Sequence, residues 1–162
     1  MPEFSKPREA FLYHLGSALR MERTVLEILE LSDRAAEDDS VLDLVGRLQA
    51  DASARIDRLE RIFGDLGEDV VDSPSPAMHG IKKGIHEESE LMSAKVSDLA
   101  ILQGAVEAGY YELGVFVNLE VTAEALGHHQ IAASLEDFAA TLRQTLEDSV
   151  AIQARLASRL RA

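Results

Sequence analysis

The chain has no cysteine, no tryptophan and only four prolines in 162 residues. Without cysteine there is no disulfide, no thiolate nucleophile and no sulfur ligand for a metal. Pro2, Pro7, Pro74 and Pro76 fall at the start or within "VDSPSPAMHG", so none breaks the long stretches elsewhere. No apolar run approaches the ~20 residues that a membrane-spanning helix needs. The opening "MPEFSKPREAF" has no signal-peptide pattern, so a cytoplasmic location and no membrane partner are expected. Positive charge is scarce too. Sixteen Lys and Arg face 29 Asp and Glu, for a net charge of −13, and the basic residues are dispersed. Such a surface repels phosphate backbones and anionic lipid, so no nucleic-acid partner is expected.

What is present is apolar and aliphatic: 46% hydrophobic residues, with only 5% aromatic. Alanine and leucine dominate, which favours helices over sheet. A single domain over 1–162 is expected. Helical periodicity covers about 5–34, 39–66, 96–126 and 129–161, with Ser40 as the expected N-cap of the second stretch. Glycines in "FGDLGED" and "EALGHHQ" stop the second and third helices. Short connections inside each pair imply antiparallel hairpins. The middle connection, 67–95, is long and carries a short helix with Met78, Ile81 and Ile85 turned inward. The expected fold is all-α: a ferritin-like four-helix bundle, two antiparallel helical hairpins joined by a long crossover with a short extra helix.

Two acids sit where none belongs. At about 100° per residue, Glu112 falls within the apolar stripe Ile101, Ala105, Ala108, Val115, Phe116, Leu119 and Ala123. Glu22 falls likewise within Leu15, Ala18, Val25, Leu26 and Leu29. The offset of 90 residues between them also aligns, less cleanly, the stripe Val45, Leu48, Ala52, Ile56, Leu59, Phe63 with Leu135, Phe138, Leu142, Leu146, Ser149, Gln153. The chain therefore reads as two copies of one hairpin, each with a buried acid on its first helix. An unpaired carboxylate in a core is costly, so both need a partner.

The segments "LRMERTVLEIL", "RIDRLERIFGDLGE", "PSPAMHGIKKGIHEE" and "YYELGVFVNLEVTAEALGHH" resemble the YciE/YciF family of ferritin-like stress proteins, over about residues 9 to 160. The resemblance implies a ferritin-like bundle, often dimeric, induced under stress, some members of which hold a two-metal carboxylate site. Such a site takes one Glu from each of two helices and a Glu and a His three residues apart on each of the other two. Glu22 and Glu112 match the single acids and are the metal ligands if iron or manganese is bound. The inward pairs on the other helices are Ala52 with Arg55 and Leu142 with Thr145. The family's acid and histidine before "YE" are replaced by Gly109 and Tyr110. About half of the ligand set is missing.

Arg55 lies about 60° off its stripe, level with the two acids, and a guanidinium can hold two carboxylates through its planar fork. The expected buried polar cluster is Glu22, Arg55 and Glu112. Three other arrangements fit the pattern: Arg55 paired only with Asp51 at the bundle edge, a carboxyl pair sharing one proton, or a metal centre completed by Asp51 or a shifted last helix. The histidines form no cluster. His128 and His129 read as capping or packing residues, His79 and His86 as solvated or packed, and His14 as marginal. The third main helix has a second apolar face, with Val106, Tyr110, Leu113, Val117 and Val121. Either the crossover covers it or a homodimer forms on it, and the dimer is the favoured expectation. Two function classes remain. One is a stress-associated structural or interaction protein with a degenerate metal site, no catalytic residues and no cofactor. The other is a di-iron or di-manganese oxidase or peroxide-detoxifying protein. The incomplete ligand set favours the first.

Overall fold

Helix-period sequence becomes helix throughout the computed structural model, which describes residues 4–159, leaving aside the side chains of residues 94 and 95. The elements are α1 (Pro7–Ala35), α2 (Asp39–Asp65), α3 (Pro76–Ser89), α4 (Ala94–Ala125) and α5 (His129–Arg159), and no strand occurs among the described residues. The expected end of the last helix at 161 lies outside them. α1 begins at Pro7 and α3 at Pro76, because a proline ring presets the helical φ and its missing N–H needs no partner in a first turn. α2 and α4 end where Gly67 and Gly127 turn to φ +71° and +79°. There the amides of Glu68 and His128 close back onto the carbonyls of Phe63 and Ala123, each at 2.9 Å. The start of α2 differs from expectation. Asp38, not Ser40, is the N-cap, and its carboxylate accepts from the Ser40 amide at 3.0 Å.

Side-chain ties fix the topology. Arg23 of α1 reaches Glu60 of α2 at 2.8 Å, and Arg8 near the start of α1 meets Glu68 beyond the end of α2, so these two run antiparallel. Arg47 with Asp148 and Arg58 with Ser134 set α2 against α5 in the same sense. The result is a four-helix bundle of two antiparallel hairpins, α1–α2 and α4–α5, with a long crossover carrying α3, the ferritin-like arrangement. Its core is formed by Phe11, Leu15, Leu19, Leu44, Leu59, Phe63, Phe116 and Leu135, all essentially without exposure. The rings of Phe116 and Phe138 meet edge to face at 5.2 Å.

The crossover is anchored before α3 begins. Residues 67–75 lie as an extended strap along α1, tied by Arg20 to Asp72 and by the Ser17 hydroxyl donating to the Pro74 carbonyl at 2.9 Å. The strap passes so close to Gly16 that a Cβ there would lie 2.5 Å from the Val71 carbonyl oxygen. α3 then buries Met78 fully and sets Ile85 over Gly104 of α4, where a Cβ would stand 3.0 Å from the isoleucine. The second apolar face of α4 is thus divided. α3 covers its N-terminal half. Toward the C-terminal half Tyr110 and Val121 are 60% and 63% exposed, and Gly114 faces open space.

Candidate functional site

Phase alone brings three charged side chains to one level of the core. Glu22 from α1, Arg55 from α2 and Glu112 from α4 are 0%, 4% and 3% exposed. Arg55 Nη2 donates to Glu112 Oε1 at 3.0 Å, and Arg55 Nε lies 3.0 Å from Glu22 Oε2. The two contacts are not equivalent. The first is an aligned hydrogen bond. In the second the N–H does not point at the oxygen, so Nε and both Glu22 oxygens are left without an aligned partner in the buried core. Arg55 therefore makes its ion pairs with the two glutamates, while Asp51 stays beyond ion-pair distance and lines, with Arg55, Asp137 and Thr141, a surface groove between α2 and α5.

Two carboxylates and one guanidinium sum to one negative charge, which an apolar interior penalises. Burial, reinforced by the charge of Glu112, pushes the Glu22 carboxyl well above the ordinary glutamate range, and Arg55 offsets only part of this. Burial also raises Glu112, against the opposing pull of Arg55. Burial works to lower Arg55, yet the two carboxylates outweigh it and keep the guanidinium charged. A proton on Glu22 makes the trio neutral. It also supplies the donor that two facing carboxylates lack, with Glu112 as the neighbouring carboxylate.

A two-metal carboxylate centre does not fit these residues. Its four-helix donor set would need acids and imidazoles from α2 and α5, where the chain places Ala52, Arg55, Leu142 and Thr145. Glu147 is exposed on α5, and Asp148 is engaged by Arg47 at 3.3 Å. Among the described residues no three His, Asp or Glu side chains are placed to share one metal ion. A fixed guanidinium stands between the only two matching acids and repels any second cation. The histidines are dispersed: His128 lies against the Phe11 ring at 6.2 Å, His129 contacts Glu124 at 2.8 Å and His86 approaches Glu90 at 3.7 Å.

Two cavities escaped the sequence. One of about 20 Å³, room for about one water, adjoins Arg55, Glu112, Thr145 and Ser149 inside the bundle. The other, about 230 Å³, opens between α1, α3 and α4. The signal of the second in the sequence is a set of small residues, Ser32, Ala35, Ser97 and Ala100, at helix positions where larger aliphatics would close the gap.

Comparison with known proteins places this geometry. The profile of a family described as a domain of unknown function, DUF892, matches residues 6–160. No curated protein matches. Among solved structures, the Escherichia coli stress protein YciF superimposes with a TM-score of 0.89 at 17% identity, covering 96% of this chain and 99% of that one. YcfI from Rhodopseudomonas palustris, for which a structural role has been put forward, gives 0.74 at 22% identity, covering 96% and 98%. At such identities the likeness is one of fold.

Proposed function

The chain belongs to the DUF892 family, and on that premise we propose that it is a stress-associated structural or interaction protein of the ferritin-like fold, non-catalytic, with an internal ion cluster at the level where a two-metal carboxylate site would be built. The observation that carries this reading is Arg55. Its nitrogens stand 3.0 Å from both Glu22 and Glu112, so the one pair of acids that could begin a metal centre already shares an organic cation. The rest of the donor set is apolar or hydroxylic, which leaves nothing to hold redox metal with open positions. The protein works in the cytoplasm on this reading, and no helix among the described residues is long and apolar enough to cross a membrane. Its nearest partner is a second copy, docked through the part of the α4 face that α3 leaves open, centred on Tyr110, Leu113, Val117 and Val121 with Val106 at its edge.

Metal content tests the reading directly. Protein purified natively, then incubated anaerobically with iron(II) or manganese(II) and desalted, should hold far less than one equivalent by mass spectrometry. Retention near the two equivalents of a complete carboxylate centre, abolished by Glu22→Ala and Glu112→Ala, would replace this reading with that of an oxidase or peroxide-handling enzyme.

A further inference from the structure

The 230 Å³ cavity lies away from the ion cluster, where α3 rests on the C-terminal half of α1 and the first turns of α4. Ile28, Leu31, Ile85, Met92, Ala100 and Ile101 give it an apolar wall. Leu31 and Met92 at its mouth stay 49% and 41% exposed although a pocket large enough to bury an apolar guest lies beside them. The size is informative. An apolar cavity of about 150 Å³ takes benzene, so at equal filling this one takes about nine non-hydrogen atoms. The rim is polarised on one side. Lys82 and His86, four residues apart on one face of α3, line the pocket with two nitrogen donors, while Glu88 and Ser89 complete the rim. The present partners of those donors, Glu27 and Glu90, are held only through exposed pairs, which are weak and exchangeable.

We propose that this cavity is a binding site for a medium-chain aliphatic carboxylate, its chain enclosed between α1, α3 and α4 and its head on Lys82 and His86. The chain length follows from the volume and the head from the two donors on the rim. A cationic head would meet Lys82 and His86, and the one carboxylate lining the pocket, Glu88, lies two residues beyond His86 toward the end of α3. The site is independent of the core cluster, from which Ile28 and Ser32 separate it as a wall shared with the small inner cavity.

Calorimetric titration with octanoate, octanol and octylammonium tests it. Octanoate should bind at one per chain, more tightly than octanol, with no binding of octylammonium. Ala35→Leu and Ala100→Leu fill the cavity from opposite walls, and each should weaken octanoate about sixtyfold, since leucine adds three carbons and each methylene displaced is worth roughly fourfold. Lys82→Glu should weaken octanoate and leave octanol unchanged. Circular dichroism identifies a variant that has failed to fold, and the other filling variant then decides. No octanoate binding, equal binding of octanol or octylammonium, or binding that survives filling of the cavity would overturn the proposal.

Discussion

Replacing Arg55 by methionine takes the cation out of the Glu22–Glu112 pair, and the cost follows from counting protons. With Arg55 present, a single carboxyl proton on Glu22 makes the buried trio neutral. In Arg55→Met, neutrality requires a second proton on Glu112, which the unfolded chain releases at an ordinary value of 4.5. Holding that proton at pH 7, about 2.5 units higher, costs about 3.4 kcal/mol at 1.36 kcal/mol per unit. Leaving the carboxylate charged and unpaired costs as much or more, in the range of 3–5 kcal/mol. The variant should therefore lose about 3 kcal/mol at neutral pH.

The pH dependence is the sharper test. Both acids are raised in the folded state, so the folded cluster binds more protons, and its contribution to stability is fullest on the acid side and is lost as pH rises above about 4.5 toward the folded values. Between the unfolded and folded pKa values the cluster contributes up to one such proton in the wild type, a slope of up to about 1.4 kcal/mol per pH unit, and up to two in Arg55→Met, about 2.7. Glu22→Gln with Arg55 intact keeps the shape of the protonated acid and removes most of the slope. Urea unfolding followed by circular dichroism between about pH 5 and pH 8 gives each line, and differences between variants cancel the surface groups. Wild type and Arg55→Met should converge toward pH 4.5 and part as pH rises. Parallel lines, or a gap that widens toward acid, would refute the proton count.

Other expectations are simpler. Gly16→Ala drives a methyl onto the Val71 carbonyl and should cost about 1–3 kcal/mol in thermal unfolding. Gly109→Ala meets only the mobile end of Leu146, at 2.8 Å, and should stay within about 1 kcal/mol of wild type; equal effects at the two glycines would contradict the close approach of the strap. Tyr110→Glu and Val121→Glu should leave the helical content intact and convert a dimer into monomers in sedimentation, whereas an unchanged mass would remove this face as the interface. Asp38→Ala loses the cap of α2 and the contact to Arg159 at 3.0 Å, and about 1 kcal/mol of stability should go with them; no loss by denaturant unfolding would count against the cap.

The four long helices, their glycine stops and the inward turn of Met78 were legible because each depends on local period or on a backbone requirement. The charged trio was legible for a related reason: an acid on an apolar stripe demands a partner, and Arg55 was the cation at the same level. The cap of α2 was misread because Asp38 and Ser40 are both good caps and the choice rests on one residue of backbone geometry. The strap, the cavity between α1, α3 and α4 and the division of the α4 face could not be read. Each depends on where a distant segment comes to rest: residues 67–75 on Gly16, and Ile85 on Gly104.

Asp98 carries a further consequence. It belongs to α4, yet its two carboxylate oxygens accept from the amides of Glu37 and Asp38 in the turn between α1 and α2, at 2.9 and 3.0 Å. The turn that closes the first hairpin thus obtains its hydrogen-bond acceptors from the second. A fragment ending after α2 would leave those two amides to water and would also strip Glu112 from Arg55 at the other level of contact. The two half-chains then behave as interdigitated complements and not as autonomous modules. Amide hydrogens at 37 and 38 should exchange more slowly in the wild type than in Asp98→Ala, and the halves expressed separately should order only when mixed.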